Sequence, residues 1–380
     1  MSNTRLLDYF IKSRENFLHN CTECGNCVTD CYAVQNMQNP PDASQTVRGI
    51  KDCLSGGTLN EAALAKTTAC MGCYGCVDMD CPIGLDSLLL NQLVWRTAEL
   101  AKEEPFFMPL YVEHQQKLQD LITSAERARI TTPVFTPGAE FVFFPGCNIY
   151  LQPDKVLNAL DLMDAVGIPY SFIPGMEYCC GLPRGNSGDA DWLQERAESL
   201  IAKAVEFGAK TMICWCATCL CNMEYRIKKF ADVPFALISF GKYLADHTDR
   251  LSFPNAQPQT VTLHEPCKSA YMGIDMDDVR DLLRAVPGTE LVEMAHYGAD
   301  TMCCGCRAIN TMPEFGKSMT DKRLDEALDT GAEKMIDVCH TCHLIFRNHS
   351  KETGRNDVVS ENYTTYLMRA LGHPRADSLD

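Results

Sequence analysis

The sequence predicts an α+β multidomain chain: a helical N-terminal part followed by two α/β repeats. Three observations carry that prediction. Two matched four-cysteine runs lie within the first 81 residues, with helix-compatible segments around them. A five-cysteine pattern then occurs twice, each copy spread over about 75 residues in which strand and helix patterns alternate. Between the two kinds of region, Thr131-Thr132-Pro133 and Thr136-Pro137-Gly138 read as a linker. The expected division is residues 1–104, a connector at 105–138, and repeats at 139–256 and 257–380.

Length and charge narrow the function. The chain has 380 residues, room for two or three domains, and a net charge of −16. That charge serves solubility and disfavours nucleic acid or an anionic membrane surface as the primary partner. No run approaches the length of a membrane span. Met1 to Asn20 lacks the charged and apolar regions of an export signal. The expectation is a cytoplasmic chain with no span of its own, reaching a membrane only through a partner. Disulfides persist poorly in that compartment, so the 22 cysteines point to metal.

In the first region Cys21, Cys24, Cys27 and Cys31 follow a C-x2-C-x2-C-x3-C spacing. Cys70, Cys73, Cys76 and Cys81 repeat it, with four residues before the last cysteine and Pro82 after it. Thiolates so spaced wrap a cubane [4Fe-4S] cluster, and the fourth cysteine of each run ligates the cluster of the other. This assigns Cys21, Cys24, Cys27 and Cys81 to one cube, and Cys70, Cys73, Cys76 and Cys31 to the second. Two zinc knuckles are the rival reading, disfavoured by eight cysteines in two matched runs. Tyr32 stands where a proline is usual after Cys31. The 38 residues between the runs include helix-compatible Leu59 to Lys66, after a Gly56-Gly57 break, and Cys53, expected to be a buried or free thiol.

Leu85 to Glu104 carries Leu85, Leu88, Leu89, Leu93, Val94 and Leu100 at helical spacing, with Pro105 as its end. A second helical stretch runs from about 110 to 129. Phe106, Phe107, Met108, Leu110 and Tyr111 read as interdomain core, with a quinone or partner surface as the alternative.

In the first repeat, 140–144 is a strand running into Pro145-Gly146-Cys147, and 155–166 is a helix. Cys179-Cys180-Gly181 sits in a loop before a helix at 190–207. A strand at 211–214 then delivers Cys216 and Cys219 to a helix start, where dipole and free N–H groups favour thiolates. The second repeat has strands at 261–264, 291–294 and 335–338 and helices at 277–286 and 317–330. It carries Cys267, Cys303-Cys304-Gly305, Cys339 and Cys342. The Cys-x-x-Cys pairs lie 123 positions apart, the adjacent pairs 124 and the leading cysteines 120. This alignment sets Cys214 opposite Asp337, Cys221 opposite Leu344 and Cys306 opposite Leu182, so these three read as packing thiols or neighbours of ligands. His264, His340 and His343 read either as hydrogen-bond donors to ligand sulfur or as ordinary histidines.

His264-Glu265-Pro266-Cys267, Pro287-Gly288, Leu291-Val292-Glu293-Met294 and Met302-Cys303-Cys304-Gly305 resemble the CCG cysteine-rich domain family. The N-terminal region resembles the α-helical dicluster ferredoxin domain. Together the layout is similar to the D-type subunit of heterodisulfide reductase and to the iron–sulfur subunits of anaerobic glycerol-3-phosphate dehydrogenase and glycolate oxidase. The resemblance implies that Cys147, Cys179, Cys180, Cys216 and Cys219, and Cys267, Cys303, Cys304, Cys339 and Cys342, each hold a noncubane [4Fe-4S] cluster. It also implies that such a pair can split a disulfide. Cys306-Arg307-Ala308 is bulkier than the family's glycines, which puts disulfide access at the second site in doubt; Arg307 is expected to point outward into solvent, with attraction of an anionic substrate or a lowering of cluster charge as the alternative.

No G-x-G-x-x-G follows a strand, so an organic electron donor must come from another chain. The expected partners are a flavoprotein or other redox subunit, and a membrane-bound haem or quinone-reactive subunit. Three functions stay open: an electron-transfer subunit with two cubane and two noncubane clusters, a catalytic disulfide reductase, and a metal-dependent scaffold.

Overall fold

The computed structural model describes residues 5–76, 81–100, 118, 121–175, 177–274 and 277–379. The aromatic cluster at 106–111 and Pro105 lie outside them. The N-terminal region is helical: α1 (Leu6–Asn20), α2 (Ala43–Leu54), α3 (Glu61–Ala69) and α4 (Ser87–Thr97), with short turns at Asn26–Thr29 and Tyr32–Gln35. Side-chain caps set three of the starts. Asp42 accepts from Gln45 N, Asn60 from Ala63 N and Asp86 from Leu89 N, each at 2.8 Å. The Asn60 cap moves the helix expected at 59–66 to 61–69. The helix expected to run to Glu104 stops at Thr97, and Glu99 follows in the left-handed region with φ 54°.

Each repeat is a four-stranded parallel sheet with helices around it. The first contains β1 (Phe141–Phe144), α5 (Pro153–Val166), β2 (Tyr170–Phe172), α6 (Ala190–Glu206), β3 (Thr211–Cys214), β4 (Ala236–Ser239) and α7 (Phe240–Ala245). The second contains β5 (Gln259–His264), α8 (Asp278–Ala285), β6 (Thr289–Leu291), α9 (Pro313–Asp329), β7 (Lys334–Asp337), α10 (His340–Thr353), β8 (Val359–Asn362) and α11 (Tyr363–Leu371). Strand order is β2-β1-β3-β4 in one and β6-β5-β7-β8 in the other. Phe141 pairs with Thr211 in the first and Val261 with Lys334 in the second. The central strands have both faces covered, which is why β1 and β3 read as near-continuous apolar runs.

Two strand expectations change. The strand expected at 291–294 forms at 289–291, because Glu293 turns away to Arg280, whose Nε donates at 2.7 Å. The stretch read as a linker is tied to the sheet edge: Val134 and Phe172 exchange both backbone hydrogen bonds, at 2.8 and 2.9 Å.

The two sheets share one apolar core. Phe143, Trp215, Phe240 and Tyr243 of the first repeat pack in it with Val261, Leu282, Ile336, Tyr363 and Leu367 of the second. The exchange is reciprocal: α7 packs on α8, and α11 packs on α5. A separate core joins α1, α2 and α4 to α6 through Phe10, Phe17, Leu89, Leu193 and Leu200. Leu6 N donates to Gln194 Oε1 at 2.9 Å and Arg96 to Gly188 O at 2.9 Å across that junction.

A buried charge chain closes the two repeats. Lys155, fully buried on α5, meets Asp154 at 2.6 Å and Asp377 of the C-terminal tail at 3.1 Å. Asp377 also meets His343 Nε2 at 3.0 Å, and His343 Nδ1 meets Asp337 at 2.7 Å. Ser360 donates to Asp337 at 2.6 Å. Burial opposes charge on Asp377, but His343 and Lys155 hold its carboxyl well below the usual carboxylate range. A depressed carboxyl stabilises above its unfolded pKa and loses that stabilisation as pH falls. We therefore expect Asp377→Ala to cost about 3 kcal/mol at pH 7, measured by denaturant unfolding. The native chain should lose stability as pH drops below about 4, and the variant should lose less, having no such carboxylate to protonate.

Candidate metal centres

The structure gathers the N-terminal cysteines into two fours. Cys27 has Cys21, Cys24 and Cys81 around it, and these four line a small cavity with Phe17, Val47 and Pro82. Cys76 has Cys73, Cys70 and Cys31 around it. The loops that bring them together share one backbone shape. Glu23 and Gly72, each the residue before the second cysteine, have φ 58° and 59°; Gly25 and Tyr74, each the residue after it, have φ 85° and 69°. Left-handed residues in a tight loop turn backbone N–H groups inward and favour a negatively charged occupant. Cys24 is exposed, whereas Cys73 and its neighbours lie deeper against the second repeat.

Lys66 was not singled out by the sequence. It is 3% exposed on α3. Burial pushes its ammonium down, but the sulfurs of Cys31, Cys70, Cys27 and Cys76 outweigh burial and hold it above its usual range. One cation thus serves both fours, a helix-interior lysine that no cysteine spacing reveals.

Each repeat assembles its five thiols at the carboxyl ends of the two central strands. Cys147 follows β1 and Cys216 and Cys219 follow β3; Cys267 follows β5 and Cys339 and Cys342 follow β7. Cys147 and Cys179 have sulfurs 3.6 Å apart. Cys216 and Cys339 stand at helix N-caps. A hydrogen bond from Cys342, with backbone N–H groups of Cys342 and Thr341, brings Cys339 down to about 6 against its burial. Hydrogen bonds from the neighbouring thiols Cys179 and Cys219 pull Cys180 below the usual thiol range, and Cys303 and Cys342 do the same for Cys304.

The glycine of each Cys-Cys-Gly explains itself. Gly181 and Gly305 have φ 80° and 82°, and each N–H donates to the first sulfur of its pair at 3.4 Å. A Cβ on Gly181 would lie 2.6 Å from Leu193 Cα on α6, and one on Gly305 would run into Gly316 O on α9. The long helix of each repeat presses on the cysteine turn, and only glycine admits both the turn and the contact.

Among the described residues none of the 22 cysteines is joined in a disulfide. The bystanders divide. Cys53 and Cys214 are buried and pushed up by burial, and Cys221 donates to Lys268 O at 3.5 Å. Cys306 does not separate from the second set: it lines the same cavity, and its backbone N–H donates to Cys304.

The histidines divide as well. His264 accepts from Arg323 Nε at 2.9 Å on Nδ1, which leaves the proton on Nε2, and a ring nitrogen lies within 4.8 Å of the sulfurs of Cys304 and Cys342. His340 is buried with neither ring nitrogen hydrogen-bonded among the described residues, and it lines the cavity. His343 is committed to Asp337 and Asp377 through both ring nitrogens, so it is not a donor to sulfur.

The second set opens into a cavity of about 670 Å³. Cys267, Cys303, Cys304, Cys339 and Cys342 all line it, whereas none of the first set does. One expectation changes, and it concerns the Cys306-Arg307-Ala308 segment, whose first two residues form part of the cavity wall. Arg307 does not point into solvent: its guanidinium lies over Trp95, 5.7 Å from the ring, Nη2 donates to Asn186 O at 3.4 Å, and Nη1 is buried with no hydrogen-bond partner among the described residues. Lys268 Nζ donates to Thr218 at 2.9 Å on the same wall.

Two parallel sheets, each ending in five clustered thiols around a left-handed Cys-Cys-Gly turn, define a duplicated cysteine-rich protein. Residues 141–224 and 261–347 each match the CCG cysteine-rich domain, so the chain carries two copies of that domain. It is 24% identical to the D chain of dihydromethanophenazine:CoB–CoM heterodisulfide reductase from Methanosarcina mazei, over 93% of this chain and 94% of that one. The match to the corresponding D chain of Methanosarcina barkeri, at 26% identity, spans 62% of this chain and 59% of that one. Identity is 24% to the B chain of the CoM/CoB fumarate reductase from Methanothermobacter marburgensis, over 93% and 72%. It is 21% to a probable glycolate oxidase iron–sulfur subunit of Bacillus subtilis, over 94% and 95%.

The two turn glycines yield a direct test. Gly305→Ala or Gly181→Ala should destabilise the chain by at least about 1–2 kcal/mol from the left-handed backbone alone, with the helix contact adding to it. A variant as stable as the parent in denaturant unfolding would show that the helix does not press on the turn.

Proposed function

We propose that this chain is the iron–sulfur electron-transfer subunit of a multisubunit oxidoreductase of the heterodisulfide and fumarate reductase kind. The observation that carries the reading is that eighteen thiols, none in a disulfide, gather as two fours and two fives within one molecule. Cys21, Cys24, Cys27 and Cys81 would hold one cubane [4Fe-4S] cluster, and Cys31, Cys70, Cys73 and Cys76 the other. The five-cysteine sets would hold two noncubane [4Fe-4S] clusters. Such clusters accept and release single electrons. On this reading residues 1–104 form an α-helical dicluster ferredoxin domain, 105–138 a connector, and 139–256 and 257–380 the two cysteine-rich domains.

The residues fit that role. Left-handed loops and helix N-caps offer N–H groups to anionic sulfur, and Lys66 offsets charge between the N-terminal sets. Exposed Cys24 puts the Cys21 set nearest to an electron donor, which we take to be a flavoprotein or other redox subunit. A haem-bearing or quinone-reactive membrane subunit is the second class of partner. Among the described residues no helix is long and apolar enough to cross a membrane.

A second reading draws on the cavity. The second set meets open space beside Arg307, Lys268 and His340, as a site that takes a thiol or disulfide would. The first set would then relay or support.

Anaerobically purified protein should contain about sixteen irons per chain, four for each cluster, with matching sulfide. Fewer than four clusters' worth in fully occupied protein would overturn the assignment. Removing the iron should unfold the N-terminal helices, since ligand binding is part of their folding free energy. Lys66→Met should lower the midpoint potentials of both N-terminal clusters by on the order of 60 mV, about tenfold in a one-electron equilibrium, in an EPR-monitored titration. For the second reading, a thiol-dependent EPR signal in oxidised protein should vanish in Cys303→Ser and persist in Cys179→Ser. No signal with any of a range of thiols would favour a relay.

A further inference from the structure

The tyrosine after Cys31 departs from the proline usual in such runs, and the structure gives it a place. Cys303 N donates to Tyr32 Oη at 3.3 Å, a bond across 271 residues. Tyr32 packs in one cluster with Cys31 and Cys73 of the inner N-terminal set and with Cys267 and Cys303 of the second five-cysteine set. Its ring lies 5.8 Å from that of Tyr271, whose hydroxyl donates to Thr301 O at 2.9 Å, two residues before Cys303. Tyr271 in turn fills the space above Gly75, where a Cβ would lie 3.3 Å from the ring. The other run keeps its proline: Pro82 follows Cys81, and that set lines its own small cavity instead.

We propose that Tyr32 is a positioning residue that ties the inner N-terminal set to the second five-cysteine set and tunes the latter through its hydroxyl. The inference rests on reading these sets as iron–sulfur sites. Oη takes the Cys303 N–H, which fixes the Cys-Cys-Gly turn against the N-terminal region. With Oη occupied as an acceptor, the hydroxyl's own proton is free to donate toward the sulfurs packed around the ring, those of Cys303, Cys267 and Cys73. A hydrogen bond to ligand sulfur stabilises added negative charge and raises a cluster's potential. The second set, which opens on the cavity, would thus be the favoured destination of electrons from the inner set. Simple packing predicts something else, since phenylalanine would satisfy it.

Tyr32→Phe in the full chain, purified anaerobically, separates the two. Hydrogen exchange over residues 301–306 should quicken about tenfold while the melting temperature stays close to the parent's. In an EPR-monitored redox titration, the one-electron partition between the second five-cysteine set and the inner set should move about tenfold toward the inner set, which is about 59 mV. The first five-cysteine set should not move. Tyr32→Pro, which also removes the ring from Tyr271, should show the same partition change and a lower melting temperature. Unchanged exchange and potentials in Tyr32→Phe, or a common shift of all signals, would overturn the proposal. Protein that binds no iron or sulfide would instead sink the proposed function, and the exchange measurement would still decide whether Tyr32 holds the turn.

Discussion

Sulfur must be brought to sulfur inside this protein, and most of the architecture follows from that demand. Thiols in contact and out of water are costly to ionise together. In each repeat the backbone answers with an N–H group from the left-handed Cys-Cys-Gly turn, and in the second repeat also with those of Cys306 to Cys304 and of Thr341 and Cys342 to Cys339. The parallel sheet is the means of delivery. Two adjacent central strands end side by side, so residues following them meet although they are about 70 residues apart in the chain. The long helix of each repeat then presses the turn from behind.

The two copies are alike in their ligands and unlike in what surrounds them. Lys268 stands where the first repeat has Asn148, and Arg307 where it has Pro183. Both cations are in the second repeat, on the wall of the cavity that only the second set enters. The N-terminal region touches the copies differently as well. It packs its apolar side on α6 of the first repeat and its inner cysteines on the turn of the second.

Cysteine spacing made the thiol groupings legible, because a loop that wraps a common point leaves a short and regular interval. The strands next to the ligands were legible too, as they are apolar on both faces. The rest was hidden for physical reasons. β8 reads Val359-Ser360-Glu361-Asn362, and its polar residues are buried because Asp337, Lys334 and Arg369 receive them. Edge strands β2 and β4 are short and half-covered. Arg307 read as a surface residue because nothing local shows Trp95 lying across from it. Tyr32 was visible as an oddity, but its meaning depends on Cys303, 271 residues away.

The reciprocal packing of α7 on α8 and α11 on α5 has a consequence beyond stability. It is the kind of mutual embrace that two identical subunits make, here drawn from a single polypeptide. A pair of separate, identical subunits must carry every substitution twice and can come apart on dilution. A tandem chain meets its other half at a concentration set by the tether alone. It can also place a lysine in one half and an asparagine in the other. Duplication within one chain therefore allows two matched thiol sites to have a front and a back.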